Sequence, residues 1–177
     1  MIPRPQLLKS CLVILLCANA FLLTAQSPEE KLVAMNIQLP PVAAPLGSYV
    51  DAVRVGNLIF LAGKGPRKEN GEYITGKLGQ ELTITDGYAA ARITAINQLA
   101  VLKKELGDLS KVKRIVKVNG YVNSLATFYD QPKVINGFSD LLIEVFGELG
   151  KHARTALGTN SLPFNMAMEV EMIVEVN

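Results

Sequence analysis

The chain has 177 residues, of which 49% are hydrophobic and 19% charged, too much apolar material for a disordered segment and enough for one compact domain. Eighteen Lys and Arg against 16 Asp and Glu leave a net charge of +2, which excludes the dense cationic surface that binding nucleic acid by counterion release requires. With His152 as the only histidine and Cys11 and Cys17 as the only cysteines, a Cys-rich or His-rich metal site is excluded by inventory.

Arg4 and Lys9 precede an uncharged apolar run from Ser10 to Ala25 that holds both cysteines and ends in small residues, the profile of a signal peptide. Residues 1–25 are therefore expected to direct export to a periplasmic or secreted location, with cleavage near Ala25 or at Ala20; an uncleaved amino-terminal anchor is the alternative. Removal at Ala25 leaves 16 basic and 16 acidic residues and no cysteine. Residues 26–46, polar and then proline-rich (QLPPVAAP), read as an extended leader, with the folded domain at 47–177.

In that domain Tyr49–Val55 and Leu58–Ala62 are β-rich runs joined by Gly56-Asn57, a two-residue hairpin turn. Gly63–Gly79 reads as a loop with a short strand around Tyr73 and Ile74. A helix is predicted from Thr85 or Asp86 to Leu106, stopped by Gly107, with Ala89, Ile93, Ile96, Leu99, Ala100, Leu102 and Leu106 as its apolar face. Val112–Val122 alternates as one strand, with Val112, Val116, Val118, Gly120 and Val122 on one face. The basic cluster Lys111, Lys113, Arg114 and Lys117 around it reads as a solvated strand edge. A second helix after Pro132 carries Val134, Phe138, Leu141, Leu142, Val145 and Leu149 and ends at Gly150. Strands Ala153–Gly158 and Ala167–Val176 follow, the last alternating Met168, Val170, Met172, Val174 and Val176 with Glu169, Glu171 and Glu175. This order predicts an α+β domain, a mixed sheet with two helices packed on one face.

Gly71–Leu78 imitates a phosphate-binding loop but ends in Leu78, which has no hydroxyl for magnesium, and no helix follows Lys77 at once to present its N-terminal dipole. Nucleophilic catalysis is unsupported, because the sequence gives no cue to a serine partner for His152. Arg154, in the small and apolar stretch HARTALG, needs an anion. It is an exposed edge-strand arginine, a partner of Glu169 or Glu171, or a fork poised to grip a carboxylate. Glu169 is a solvated strand carboxylate or a functional acid-base group.

Taken in order, Gly47-Ser48-Tyr49-Val50, Val55–Gly63, Val134-Ile135-Asn136-Gly137, Ala153-Arg154-Thr155-Ala156, Leu162-Pro163 and Met168-Glu169-Val170-Glu171 resemble the successive signatures of the YjgF/RidA (Rid) family, over Leu39–Asn177. The block QPKVINGFSDLLIEVFGELGKHARTALG resembles a branch apart from its best-known deaminases. The resemblance implies a chorismate-mutase-like fold, a homotrimer with clefts between subunits, and no metal or organic cofactor. It implies hydrolytic deamination of enamine and imine intermediates such as 2-aminoacrylate. In the family pattern Arg154 would hold the substrate carboxylate, Glu169 would position water, and Tyr49, Asn136 and Ala156 would line the cleft. Ala62 replaces a usual Ser or Thr and Lys64 a usual Gln, so a non-catalytic trimer that binds small carboxylates is the alternative. The endoribonuclease activity attributed to the family is disfavoured by the neutral mature charge and the lack of an aromatic-basic platform.

Overall fold

The computed structural model describes residues 26–177; the expected signal segment 1–25 lies outside the described residues. Five strands, β1 (Ala52–Val55), β2 (Leu58–Lys64), β3 (Val112–Asn123), β4 (Ala153–Thr159) and β5 (Met168–Val176), form one sheet in the order β1-β2-β5-β3-β4. All pairings are antiparallel except β3 with β4. The helices α1 (Pro28–Ala34), α2 (Ile84–Leu106) and α3 (Gln131–Phe146) accompany it. Among the described residues no helix is long and apolar enough to cross a membrane.

The predicted pair of long helices is present, α2 and α3 packed together, and α1 is a third helix where an extended leader is expected. Its start follows from local chemistry: Ser27 caps Glu30 N–H, the Glu30 carboxylate returns to Ser27 N–H, and Pro28 opens the first turn. Leu32 is 3% exposed in the core, and Glu29 Oε1 accepts from Lys103 Nζ at 2.6 Å and from Leu109 N–H at 2.7 Å. The ordered body therefore includes residues upstream of 47.

The first turn of α2 is a capping box of Thr83 with Asp86, and Gly107 closes the helix at φ 74°. Leu99, Ala100, Leu102 and Leu106 of the predicted stripe are buried, but Ala89 is exposed, Ala90, Ala91, Thr94, Ala95 and Gln98 join the inner face, and Ile93 and Ile96 are half-buried beside the Asn36–Gln38 segment. Small residues are selected where helix meets helix and sheet at close range, and the isoleucines are covered by the segment that follows α1. In β3, Ile115 rather than Val116 enters the core, because one extra residue slips the register against β5 at each of two places. β4 pairs with β3 only from Lys117 onward, so Lys111, Lys113 and Arg114 lie exposed beside a stretch that β4 leaves uncovered, the expected solvated edge; Lys113 pairs with Glu175, while Lys117 stands inside the sheet and donates to Thr155. α3 stops at Phe146, and Leu149 sits exposed in the short 3-10 turn that follows.

At the crossing of α2 and α3 a Cβ on Gly137 would overlap the Tyr88 carbonyl oxygen, so the two backbones meet there with no room for a side chain. Gly137→Ala is expected to lower stability by roughly 1 to 3 kcal/mol. The check is a fall in the urea midpoint at unchanged slope.

Candidate functional site

The first half of the site is built on an irregularity in β2. Leu61 pairs with Met172 and Lys64 with Val170, so β2 carries one extra residue between them. The Ala62 carbonyl accepts instead from Gln98 Nε2 on α2 at 2.9 Å, and the same amide nitrogen donates to the Val170 carbonyl at 2.7 Å. Gln98 is fully buried, and two carbonyl partners dictate that its NH2 faces them.

The bulge brings Gly63 directly beneath Glu169. A Cβ at position 63 would overlap Glu169 Oε1, so only glycine leaves the carboxylate its place. Glu169 is half-buried and, among the described residues, makes no hydrogen bond or ion pair. Burial pushes its carboxyl above the ordinary range, and Glu171 nearby adds to the rise while Lys64 opposes it. Glu171 is held by Asn119 Nδ2 at 3.0 Å and the Tyr121 hydroxyl at 3.2 Å; Lys64 pairs with Asp51. Tyr49, Ala62, Lys64, Glu169 and Glu171 line a cleft of about 810 Å3. Tyr73 and Phe164 stand in the same lining, stacked with centroids 5.9 Å apart.

The second half lies along β4. Arg154 pairs in register with buried Val118, so its side chain leaves the sheet on the helix-covered face. Its Nη1 donates to Asn136 Oδ1 at 2.9 Å and to Ser139 Oγ at 3.0 Å, and Nη2 to the Pro132 carbonyl at 3.3 Å. Ser139 Oγ is also 3.0 Å from His152 Nε2, and His152 Nδ1 is 2.6 Å from the Gly150 carbonyl oxygen. Burial holds the His152 imidazole below its ordinary pKa; the Gly150 bond opposes this and the charge of Arg154 adds to it. Ala156, opposite Gly120, is half-buried against the core on this same face.

The structure thus brings Tyr49 together with Glu169, and Arg154 together with Asn136 and Ala156, but it does not join the two groups within one chain. Glu169 lies on the face away from the helices, and β3 stands between its strand and that of Arg154. The expected alternative pairing of Arg154 with Glu169 or Glu171 does not occur, because the sheet separates them. Sequence reasoning gave no role to Gly63, Gln98 or Ser139 and set His152 aside for want of a serine partner. Gly63 follows a strand whose alternation it ends, a usable cue to a bulge; Ser139 and His152 carry no local signal of their pairing. Among the described residues no three His, Cys, Asp or Glu side chains gather as a metal site.

Comparison with known proteins is consistent across sequence and structure. The family model described as "YjgF/chorismate_mutase-like, putative endoribonuclease" matches residues 29–176. Protein TCP17 of Trypanosoma cruzi is 46% identical over 144 residues, 81% of this chain and 90% of that protein. A protein of Dermatophagoides farinae named 2-iminobutanoate/2-iminopropanoate deaminase is 30% identical over 141 residues, 79% of this chain and 94% of its own length. The crystal structure of Atu1372 from Agrobacterium tumefaciens, of unknown function, superposes with TM-score 0.77 at 40% identity, covering 84% of this chain and 91% of that one.

Because the folded state binds a proton at Glu169 more tightly than the unfolded chain does, this group's contribution is full below its ordinary pKa of 4.5 and is lost as pH rises through the folded value. Glu169→Gln is therefore expected to raise the melting temperature at neutral pH, with the gain fading as pH approaches 4.5. Thermal melts of both proteins across that range check it.

Proposed function

This chain belongs to the YjgF/RidA family, and on that premise we propose that it hydrolyses enamine and imine intermediates bearing a carboxylate to 2-oxo acids and ammonia. The observation that carries the reading is the pairing of opposites: a guanidinium braced by three oxygen acceptors, and an unpartnered, half-buried carboxyl in a cleft. Since the sheet keeps them apart in one copy, the reading requires that the β4 edge of one subunit close over the Glu169 cleft of another, as in a homotrimer. Val53, Phe60 and Leu157, on the helix-free face and 51%, 42% and 54% exposed, support burial of that face between copies.

In this scheme Arg154 holds the substrate carboxylate, with Asn136 keeping the guanidinium in place, and Tyr49 closes the cleft. Water adds to the imine carbon as Glu169 takes its proton; transfer of that proton to nitrogen lets the C–N bond break. The carbinolamine hydroxyl gives its proton to Glu169 or water as the C–N bond breaks, so ammonia leaves and the carbon becomes a carbonyl. A carboxyl shifted upward exchanges protons more readily near neutrality than an ordinary glutamate. For an enamine, its acid form or water supplies the proton to carbon first. Ala62 offers no hydroxyl to the substrate, which favours the second reading, a trimer that binds small carboxylates without turnover. We further propose that residues 1–25 export the chain, so the substrate is one met outside the cytoplasm.

Ammonia and 2-oxo acid release from 2-aminoacrylate and related imines tests this. Arg154→Ala is expected to lower kcat/KM roughly 10- to 100-fold, the loss of one charged hydrogen-bonded anchor. Glu169→Gln should lower kcat. No rate above buffer, with Arg154-dependent carboxylate binding retained, selects the binding trimer. Light scattering should give three times the chain mass, and a monodisperse monomer would overturn the shared cleft.

A further inference from the structure

Ser139 on α3 and His152 just before β4 form a pair that the hydrolytic scheme leaves unused. The Gly150 carbonyl can only accept, so His152 Nδ1 carries the ring hydrogen. Nε2 is then a lone pair, and the Ser139 hydroxyl donates to it. With its hydrogen committed to the ring, Ser139 Oγ presents a lone pair to Arg154 Nη1. The other two acceptors on the guanidinium, Asn136 Oδ1 and the Pro132 carbonyl, come from the same helix. Of the three, the hydroxyl is the one whose hydrogen the ring places: bonded to Nε2, it is turned away from Arg154.

We propose that His152 is a positioning residue: neutral and protonated at Nδ1, it fixes the Ser139 hydroxyl as an acceptor and so locks the Arg154 guanidinium against α3. The consequence for catalysis rests on the reading of Arg154 as the carboxylate anchor; the locking itself is a property of the free protein.

Protonation would make Nε2 a donor. Ser139 Oγ would then face two N–H groups, its own hydrogen would lose its partner, and a second positive charge would stand beside Arg154. The groups around the ring give that charge no support. From β4 it meets Arg154, and from the turn the Gly150 carbonyl, while Glu148 and Lys151 pair with each other in solvent. From α3 it meets Ser139, whose neighbour Asp140 is bonded to Tyr88. Burial accordingly keeps the ring neutral to below its ordinary value of 6.5, so the repulsion between the two cations, which is what would loosen the guanidinium, sets in only in acid.

His152 is the only histidine in the chain, so its ring signals in nitrogen NMR need no assignment. The Nδ1–H tautomer is expected above a titration that falls below 6.5. The Arg154 side-chain N–H signals, assigned with Arg154→Lys, should show restrained rotation that is lost along the same titration. Restraint should be absent at neutral pH in His152→Leu and kept into acid in His152→Gln, whose amide oxygen accepts from Ser139 without gaining a proton. With 2-aminoacrylate, His152→Leu should raise KM about five- to tenfold at a kcat within about twofold, and His152→Gln should restore KM. A guanidinium as restrained in His152→Leu as in wild type, or one indifferent to the ring's titration, overturns the proposal. A loosened guanidinium with KM unchanged in both His152→Leu and Arg154→Lys upholds the lock and removes Arg154 as the anchor.

Discussion

One buried amide governs the geometry of the cleft. Gln98 reaches from α2 across the core to the two carbonyls that β2 and β5 leave unpaired at the bulge. Without it, the buried Val170 carbonyl would lose a partner at a cost of about 1 to 3 kcal/mol, and the part-buried Ala62 carbonyl would lose one too. That bond sets how near α2 lies to the sheet, which in turn selects Ala90, Ala91 and Ala95 for its inner face. It also holds the extra residue of β2 in register, so that Gly63 rather than a side chain lies under Glu169. The unpartnered carboxyl is thus a product of backbone accounting three elements deep.

The sheet divides the chemistry of the chain into two compartments. On the helix side, Arg154 is given three neutral acceptors by α3, which orient its charge without cancelling it, and the imidazole beside it is kept neutral. On the open side, carboxylates stand close together, Glu171 steadied by Asn119 and Tyr121, Glu169 left without a donor. Such a carboxyl disfavours the folded monomer at neutral pH, the pattern expected where stability is yielded to chemistry.

The strands and both long helices were legible because their signals are local. Alternation in β5 matches the burial of Met168, Val170, Met172, Val174 and Val176, and Gly107 ends α2 as its position suggests. What escaped was set by distant partners. Leu32 is an ordinary apolar residue until α1 docks, although Ser27, Pro28 and Glu30 spell a helix start in plain sequence. The phase of β3 depends on slips against β5 that no alternation within β3 encodes. Of the candidate site, the residues drawn from the family pattern sit in two clusters. Their separation by the sheet, and the link from Arg154 through Ser139 to His152, appear only once segments 13 to 50 residues apart are brought together.

Phe164 and Asn165 hold consecutive left-handed backbone conformations, φ 56° and 53°, a region in which asparagine is tolerated and phenylalanine is rare. The turn is kept by Asn123 Nδ2 donating to Asn165 Oδ1 at 3.0 Å, by Gly76 N–H on the Asn165 carbonyl at 2.9 Å, and by the ring of Tyr73 lying flat on that of Phe164. An aromatic wall fixed from both backbone and side chain has already surrendered its conformational entropy before any ligand arrives. What enters the cleft meets a turn whose backbone is already set, so ordering that turn adds little to the cost of binding.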